Sequence, residues 1–159
     1  MGWHDKRARC IVSFLNCFIT SLLTKKIFTV SKFFQMDELL QELQKMRYRT
    51  ERVLTENIEL RKVCQSKRHT KILKDLSENY KKIIDVRAEV EEQIHRTESF
   101  KIEWGSVLER LQRGEISEVA VSKYDSIRVL NSERRAYNKL DKAERDVGFS
   151  LDLAKRALE

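Results

Sequence analysis

The chain has 159 residues, of which 36% are charged and 8% aromatic, and it contains 4 glycines and no proline. An average protein of this length would carry about 11 glycines and about 8 prolines. The composition excludes a collagen, a β-sandwich, a disulfide scaffold and a multi-span membrane protein, and it indicates long helices. We therefore predict an all-α fold, a long antiparallel α-helical coiled-coil hairpin with or without a third N-terminal helix.

The net charge of +7 is concentrated in residues 1–35, a basic, Phe-rich leader with six basic residues and one acid. Three interpretations compete: an export signal or membrane anchor, an amphipathic membrane-surface segment, and upstream sequence read in frame before a true start at Met36. The apolar run Ile11–Leu23 has 13 residues, fewer than the ~20 that a spanning helix needs. We favour the third interpretation because the composition changes abruptly at Met36, and we take residues 36–159 as the folded body.

From Met36 onward no glycine or proline interrupts the chain until Gly105, so nothing in the backbone chemistry forces a turn. Eight positions spaced alternately by 4 and 3 residues predict one seam of a first helix over 37–64. They are Leu39, Leu43, Met46, Thr50, Val53, Asn57, Leu60 and Cys64. Apolar residues also lie beside this seam, and they either pack within a bundle or widen a surface for a partner: Leu40, Leu54, Ile58 and Val63.

The seam breaks at residues 65–71, where no side chain is apolar. We interpret this break as a hinge, a kink or an exposed helical turn. The first helix then either folds back to complete a three-helix bundle or extends into the second helix. Six cations surround the break, and they form either a solvated face or a contact for an acidic protein surface: Arg61, Lys62, Lys67, Arg68, Lys71 and Lys74.

A second helix is predicted over 71–112 and a last helix over 117–158, each about 63 Å long. Between them, near 113–117, Gly114 is suited to the left-handed conformation that ends a helix, and Ser117 to capping the next one. We expect the two helices to pair antiparallel. The predicted seam of the second helix is Leu73, Leu76, Tyr80, Ile83, Arg87, Val90, Ile94, Thr97, Lys101, Trp104, Leu108 and Leu111. The predicted inner face of the last helix is Ala120, Tyr124, Ile127, Leu130, Tyr137, Leu140, Val147, Leu151, Ala154 and Leu158.

Charged pairs at i, i+4 in the favourable order are expected to support both helices by about 0.2–0.5 kcal/mol each. They are Glu78 with Lys82, Glu92 with Arg96, Glu109 with Arg113, Asp141 with Arg145, and Asp152 with Arg156.

Motifs for catalysis or cofactor binding are absent from the sequence. It contains no phosphate-binding loop, no dinucleotide fingerprint and no zinc-protease motif. The three histidines are scattered, and Cys64 lies on the seam, where a thiol acts as a small apolar side chain. We therefore expect no enzyme, no cofactor, no metal site and no nucleic-acid partner.

Two segments carry a resemblance to a known family: Asp37-Glu-Leu-Leu-Gln-Glu-Leu-Gln-Lys-Met-Arg-Tyr-Arg and Arg134-Arg-Ala-Tyr-Asn-Lys-Leu-Asp-Lys-Ala-Glu-Arg. Together with the size and charge of the body, they resemble the FliJ and YscO type of coiled-coil stalk protein in type III secretion. The resemblance implies a non-enzymatic rod that links a hexameric export ATPase to the membrane export gate, with export chaperones as further partners. It also implies a cytoplasmic location at the inner face of a bacterial membrane, with at most peripheral membrane contact.

Under that resemblance, arginines near the paired helix termini would reach acidic loops of the ATPase ring. They are Arg47, Arg49, Arg52, Arg134, Arg135, Arg145 and Arg156. A second hypothesis is a helical adaptor or chaperone that binds a partner's amphipathic helix by completing a bundle. Such a chaperone should be disordered or self-associated until its client fills the seam, whereas a stalk should fold alone. A third is a membrane-attached tether anchored by the leader.

Overall fold

The computed structural model describes the backbone of residues 3–117 and 126–159 and the side chains of residues 31–117 and 128–159. This part of the chain is helical with short turns and contains no strand, which confirms the all-α prediction. Helix α1 covers Trp3–Lys67, α2 covers Thr70–Gln112 and α3 covers Ser126–Arg156. The chain divides into two compact units, Met1–Asp37 and Glu38–Glu159. The predictions on the side chains of the leader lie outside the described residues.

Within the second unit, the break in the seam is a tight turn between two helices. Helix α1 ends at Lys67 and α2 begins at Thr70. Arg68 adopts a left-handed conformation with φ 57°, and the His69 N–H donates to the Cys64 carbonyl at 3.0 Å. Together with the Arg68 N–H bond to the Gln65 carbonyl at 3.3 Å, this is a Schellman cap. Of the two alternatives, the first helix therefore folds back on the second.

Helix α2 ends in a cap of the same kind. Gly114 has φ 71°, as expected for a glycine in the left-handed position of a C-terminal cap. The Glu115 N–H donates to the Arg110 carbonyl at 3.0 Å, and the Gly114 N–H donates to the Leu111 carbonyl at 3.1 Å. The chain thus leaves the helix at the predicted glycine. Residues 118–125, where the last helix was expected to start, lie outside the described residues.

Two hydrophobic clusters hold residues 38–67 of α1 against α2 and α3. The first buries Val53, Leu54, Cys64, Leu76, Ile83, Val147, Leu151 and Ala154. The second buries Leu39, Leu43, Met46, Val86, Val90, Ile94 and Leu140. Residue numbers in these clusters rise along α1 and α3 together and fall along α2, so α2 runs antiparallel to both other helices. Each fully buried Leu or Ile contributes about 1.5–3 kcal/mol.

The heptad pattern located most of this core. Of the eight predicted seam positions on α1, all except Leu60 are buried, and Leu60 is half-buried against the first cluster. The apolar residues beside the seam divide: Leu40 and Leu54 are buried, Ile58 packs against the first cluster, and Val63 is 39% exposed. Packing within the bundle therefore accounts for three of these four residues.

A layer of polar side chains joins the three helices. The Asn57 amide nitrogen on α1 donates to the Asn79 side-chain oxygen on α2 at 3.1 Å and to the Leu76 carbonyl at 3.0 Å. The Asn79 amide nitrogen in turn donates to the Val147 carbonyl on α3 at 3.0 Å. Both asparagines are buried. Because buried amides need partners, this layer favours one register of the three helices.

Candidate partner-binding surfaces

Helices α1 and α3 face each other through a ladder of ion pairs, which we call the α1–α3 ladder. Glu42 pairs with Arg134, Arg49 pairs with Asp141 and Glu144, and Glu56 pairs with Lys155. The three α1 residues are spaced by seven, and their signs alternate along the helix. Flanking positions at this spacing carry the charges that set partner and direction in coiled coils. The ladder therefore matches parallel packing of α1 and α3 in one register.

Arg49 is at the centre of the ladder. Its guanidinium lies 3.2 Å from an Asp141 oxygen and 3.2 Å from a Glu144 oxygen, and the Glu144 side chain is only 8% exposed. Partial burial by itself lowers the pKa of Arg49, but the hydrogen bond and the charge attraction of Glu144, with Tyr137 and Asp141, outweigh that and raise it. The guanidinium stays charged, and it neutralises the most buried carboxylate of the bundle's described part.

Tyr137 lies beside the same group of charges. Burial raises the pKa of its phenol, and the negative charges of Asp141 and Glu42 raise it further, against the opposing effect of Arg49. The Arg134 guanidinium lies 5.9 Å from the centre of the Tyr137 ring, within cation–π range. These charged side chains form a mutually neutralised network.

Helices α1 and α2 are joined by a second set of ion pairs, with the order expected of antiparallel neighbours. Arg47 lies 3.7 Å from Glu91, and Arg87 lies 2.5 Å from Glu51. Arg87 was predicted as a seam residue, and it instead lies exposed beside the seam, with its guanidinium on an α1 carboxylate. Its pairing with Glu51 explains why an arginine is found at a position where the heptad pattern predicts an apolar residue.

The seven arginines expected to reach a ring divide into three groups. Arg47, Arg49 and Arg134 pair with acids of another helix, as given above. Arg52 pairs with Glu56 at 3.8 Å and Arg145 with Asp141 at 2.8 Å, each one turn along its own helix. Arg135 and Arg156 are exposed and form no ion pair with any described residue.

The structure does not bring these seven arginines to one end of the bundle. Because α1 and α3 run parallel, Arg47 and Arg49 lie in the same half as Arg134 and Arg135. Arg156 ends α3 in the other half, 22 residues beyond Arg134, which corresponds to about 33 Å along the helix. A single partner contact would therefore use one subset and not the whole group.

The six cations around the break lie at the turn between α1 and α2, and we call this group the basic turn. Arg61 is half-buried with its guanidinium 4.8 Å from the centre of the Tyr80 ring, and Lys62 pairs with Glu59 at 2.9 Å. Lys67, Arg68, Lys71 and Lys74 are exposed and form no side-chain ion pair or hydrogen bond with other described residues. The basic turn thus brings four exposed, unpaired cations together within eight residues.

Sequence reasoning missed the acidic residues of the α1–α3 ladder and several buried polar positions. Glu42, Glu56 and Glu144 were not singled out, nor were Asn79 and Gln93, which are buried on α2. Glu42 and Glu56 lie seven residues on either side of Arg49, and this spacing beside the apolar seam was the available signal. Of the expected i, i+4 pairs, Glu92 with Arg96 and Asp141 with Arg145 are present. Arg113 instead contacts Glu115, and Asp152 instead contacts Lys155.

Two kinds of feature, a metal-binding cluster and a membrane-spanning helix, are absent from the described residues. No three His, Cys, Asp or Glu side chains of these residues gather in a way that could hold a metal ion. None of the described helices offers a stretch that is both long and apolar enough to cross a bilayer. Comparisons with known protein families, with characterised proteins and with solved structures found no match.

Proposed function

We propose that the protein is a non-enzymatic coiled-coil stalk of the type III export kind, in which the helical hairpin of α2 and α3 is completed by α1. In this proposal it links a hexameric export ATPase to the membrane export gate from the cytoplasmic side and binds export chaperones as further partners. The observation that carries the proposal is the closed seam between α2 and α3. Residues 38–67 of α1 fill that seam with apolar side chains, and the α1–α3 ladder closes its edge.

A closed seam favours a rod that folds alone over a chaperone that waits for its client. Residues 38–67 of α1, together with α2 and α3, are helical segments of about 30 to 43 residues, and they extend roughly 45 to 65 Å, long enough to connect two partners by rigid contact. Scattering from residues 36–159, measured with light scattering, should give a folded monomeric rod of at least about 60 Å. A compact dimer or an expanded chain would argue against the stalk.

Binding to a purified hexameric export ATPase tests the function itself. Arg135 is the most informative arginine for this test because it is exposed and free of ion pairs among described residues, so that Arg135→Glu should weaken ring binding without loss of helicity. Arg134→Glu would confound the test, since Arg134 pairs with Glu42. Lys82→Glu, an equal charge change on the exposed face of α2, is the matched control. Absence of ring binding by the wild-type chain would remove the stalk proposal.

The adaptor hypothesis retains one supporting observation on the outer face of α3. Phe149 is 66% exposed and Leu153 is 50% exposed, one helical turn apart. Apolar side chains at this spacing suit an amphipathic partner helix. If the protein is an adaptor, Phe149→Ser with Leu153→Ser should abolish co-purification of its client while leaving the thermal midpoint unchanged. A stalk would keep its ATPase binding in the same variant.

A further inference from the structure

The basic turn has the most one-sided charge of any segment among residues 38–159. The 15 residues from Leu60 to Lys74 contain six lysines and arginines and no acid. Several cations elsewhere in the bundle are matched with carboxylates from a neighbouring helix, as in the α1–α3 ladder. In the basic turn, Lys67, Arg68, Lys71 and Lys74 have no such match among described residues. The basic turn thus combines several unmatched cations with the absence of any acid over 15 residues.

The start of α2 lies in the basic turn and has no compensating acid. A helix N-terminus carries about half a positive charge, and acids in the first turn ordinarily compensate for it. The first turn of α2 has no acid, and His69 at the cap position makes no side-chain hydrogen bond to the helix. Lys71 instead lies in that first turn, with Lys74 one turn further. The carboxyl end of α1 lies at the same turn, and its partial charge has the opposite sign, so the exposed side chains of the basic turn carry the charge that a bound anion would neutralise.

We propose that the basic turn binds a short acidic peptide segment of a partner protein. Exposed lysines act as point charges that can follow the carboxylates of a flexible segment. The patch extends about 9 Å along α1 from Arg61 to Lys67 and continues onto α2. An extended segment of four or five residues covers about 15 Å, so it is long enough to run along the α1 part of the patch. The proposal does not depend on the stalk function, because any partner can carry such a segment.

Nucleic acid and membrane fit the same surface less well. The turn itself has no exposed Phe, Tyr or Trp ring on which a base could stack, since the Tyr80 ring is half-buried beside Arg61. A duplex backbone running past the turn along α2 would meet the exposed acids Asp75 and Glu78. The partly exposed Val63 is the sole large apolar side chain left open on the described turn, too little to enter a bilayer. A short carboxylate-rich peptide avoids all three difficulties.

Fluorescence anisotropy with the full chain and a fluorescein-labelled hexaglutamate peptide tests the proposal, at about 50 mM and about 150 mM NaCl. The test variant is Lys67→Glu, Lys71→Glu and Lys74→Glu, which leaves the Arg68 cap intact. The matched control reverses three exposed lysines elsewhere, Lys81→Glu, Lys139→Glu and Lys142→Glu, with the same change in net charge. We expect the test variant to lose at least about tenfold in affinity and the control to lose less than about threefold.

Four results would overturn the proposal. These are equal losses in both variants, wild-type binding no tighter than to hexaglutamine, and tighter turn-dependent binding of either a duplex DNA or phosphatidylserine vesicles. The single variant Lys71→Glu serves as the control for loss of folding. It places an acid in the first turn of α2, so it should raise the melting temperature while weakening peptide binding. If Lys71→Glu lowers both quantities, lost structure explains the loss of binding and the proposal fails.

Discussion

Arg68 and Gly114 occupy the same position in two helix caps of the same geometry. Each has a positive φ, 57° for Arg68 and 71° for Gly114, and each is followed by an N–H that donates five residues back. Glycine adopts this conformation without steric cost, whereas a residue with a Cβ is destabilised in it by about 1–2 kcal/mol. The bundle therefore contains one relaxed cap and one strained cap.

Arg68→Gly should stabilise the protein. Removing the Cβ relieves the strain. The greater conformational freedom of glycine in the unfolded chain offsets part of this effect, so the net stabilisation should be about 0.5–1 kcal/mol. For a chain of this size, that corresponds to a melting temperature about 1–4 °C higher by circular dichroism. Gly114→Ala is the control. An added Cβ there meets no atom within 4 Å, so its expected loss of about 1 kcal/mol arises from the backbone alone. A destabilised Arg68→Gly variant would contradict this account.

Replacing the α1–α3 ladder in pieces should show that its charges are coupled. Glu42→Arg and Arg134→Glu each create a like-charge contact, and each should cost about 0.5–1 kcal/mol in urea unfolding. The double variant restores opposite charges with their positions exchanged, so it should recover most of that loss. Strictly additive losses would mean that the pair contributes nothing. Glu38 is a second partner of Arg134, which makes Arg134→Glu the costlier single change.

The asparagine layer should contribute to specificity more than to stability. Asn79→Ala leaves the buried Asn57 amide with one partner fewer and should cost about 1–3 kcal/mol. Asn57→Leu combined with Asn79→Leu removes both polar groups and should approach the stability of the wild type. Size-exclusion chromatography with light scattering should then resolve several species in place of one, because the register is no longer fixed.

Thr50→Val is the control for the asparagine layer. Thr50 is buried on the same helix, but its hydroxyl donates only within α1, to the Met46 carbonyl at 2.9 Å. Its loss removes no polar contact between helices, so we expect a single species. A double asparagine variant that also remains a single species would show that apolar packing alone fixes the register.

Tyr137 should make the protein less stable at alkaline pH. Its pKa in the folded protein is raised above the ordinary value of 10.0, so the unfolded chain loses this proton first as the pH rises. The corresponding stability is fully present below about pH 10 and is lost as the pH rises through the folded pKa. In Tyr137→Phe the fall in urea midpoint above pH 10 should be shallower than in the wild type. The difference between the two proteins should be constant from pH 7 to 9. Parallel falls above pH 10 would contradict the direction given for this pKa.

Much of the core was predictable because it depends on local spacing. A 4–3 repeat of apolar residues places Leu39, Leu43 and Met46 on one helix face whatever lies opposite, and these positions are buried. Gly114 was identifiable because a left-handed cap selects glycine. The turn at Arg68 was predictable only as an interruption of the seam, since an arginine in that conformation leaves no composition signal.

The tertiary structure decided which charges remain available to a partner. Arg47, Arg49 and Arg134 are equivalent to Arg135 in the sequence, yet the first three face carboxylates from a neighbouring helix. Whether an arginine is paired depends on which helix packs beside it and in which direction. Those contacts join residues about 40 to 100 positions apart, so no local pattern specifies them. The sequence by itself determined helices, seams and the position of the break, because these follow from spacing along one helix. Only the folding back of α1 determined that the charges of the α1–α3 ladder are neutralised while the basic turn stays open.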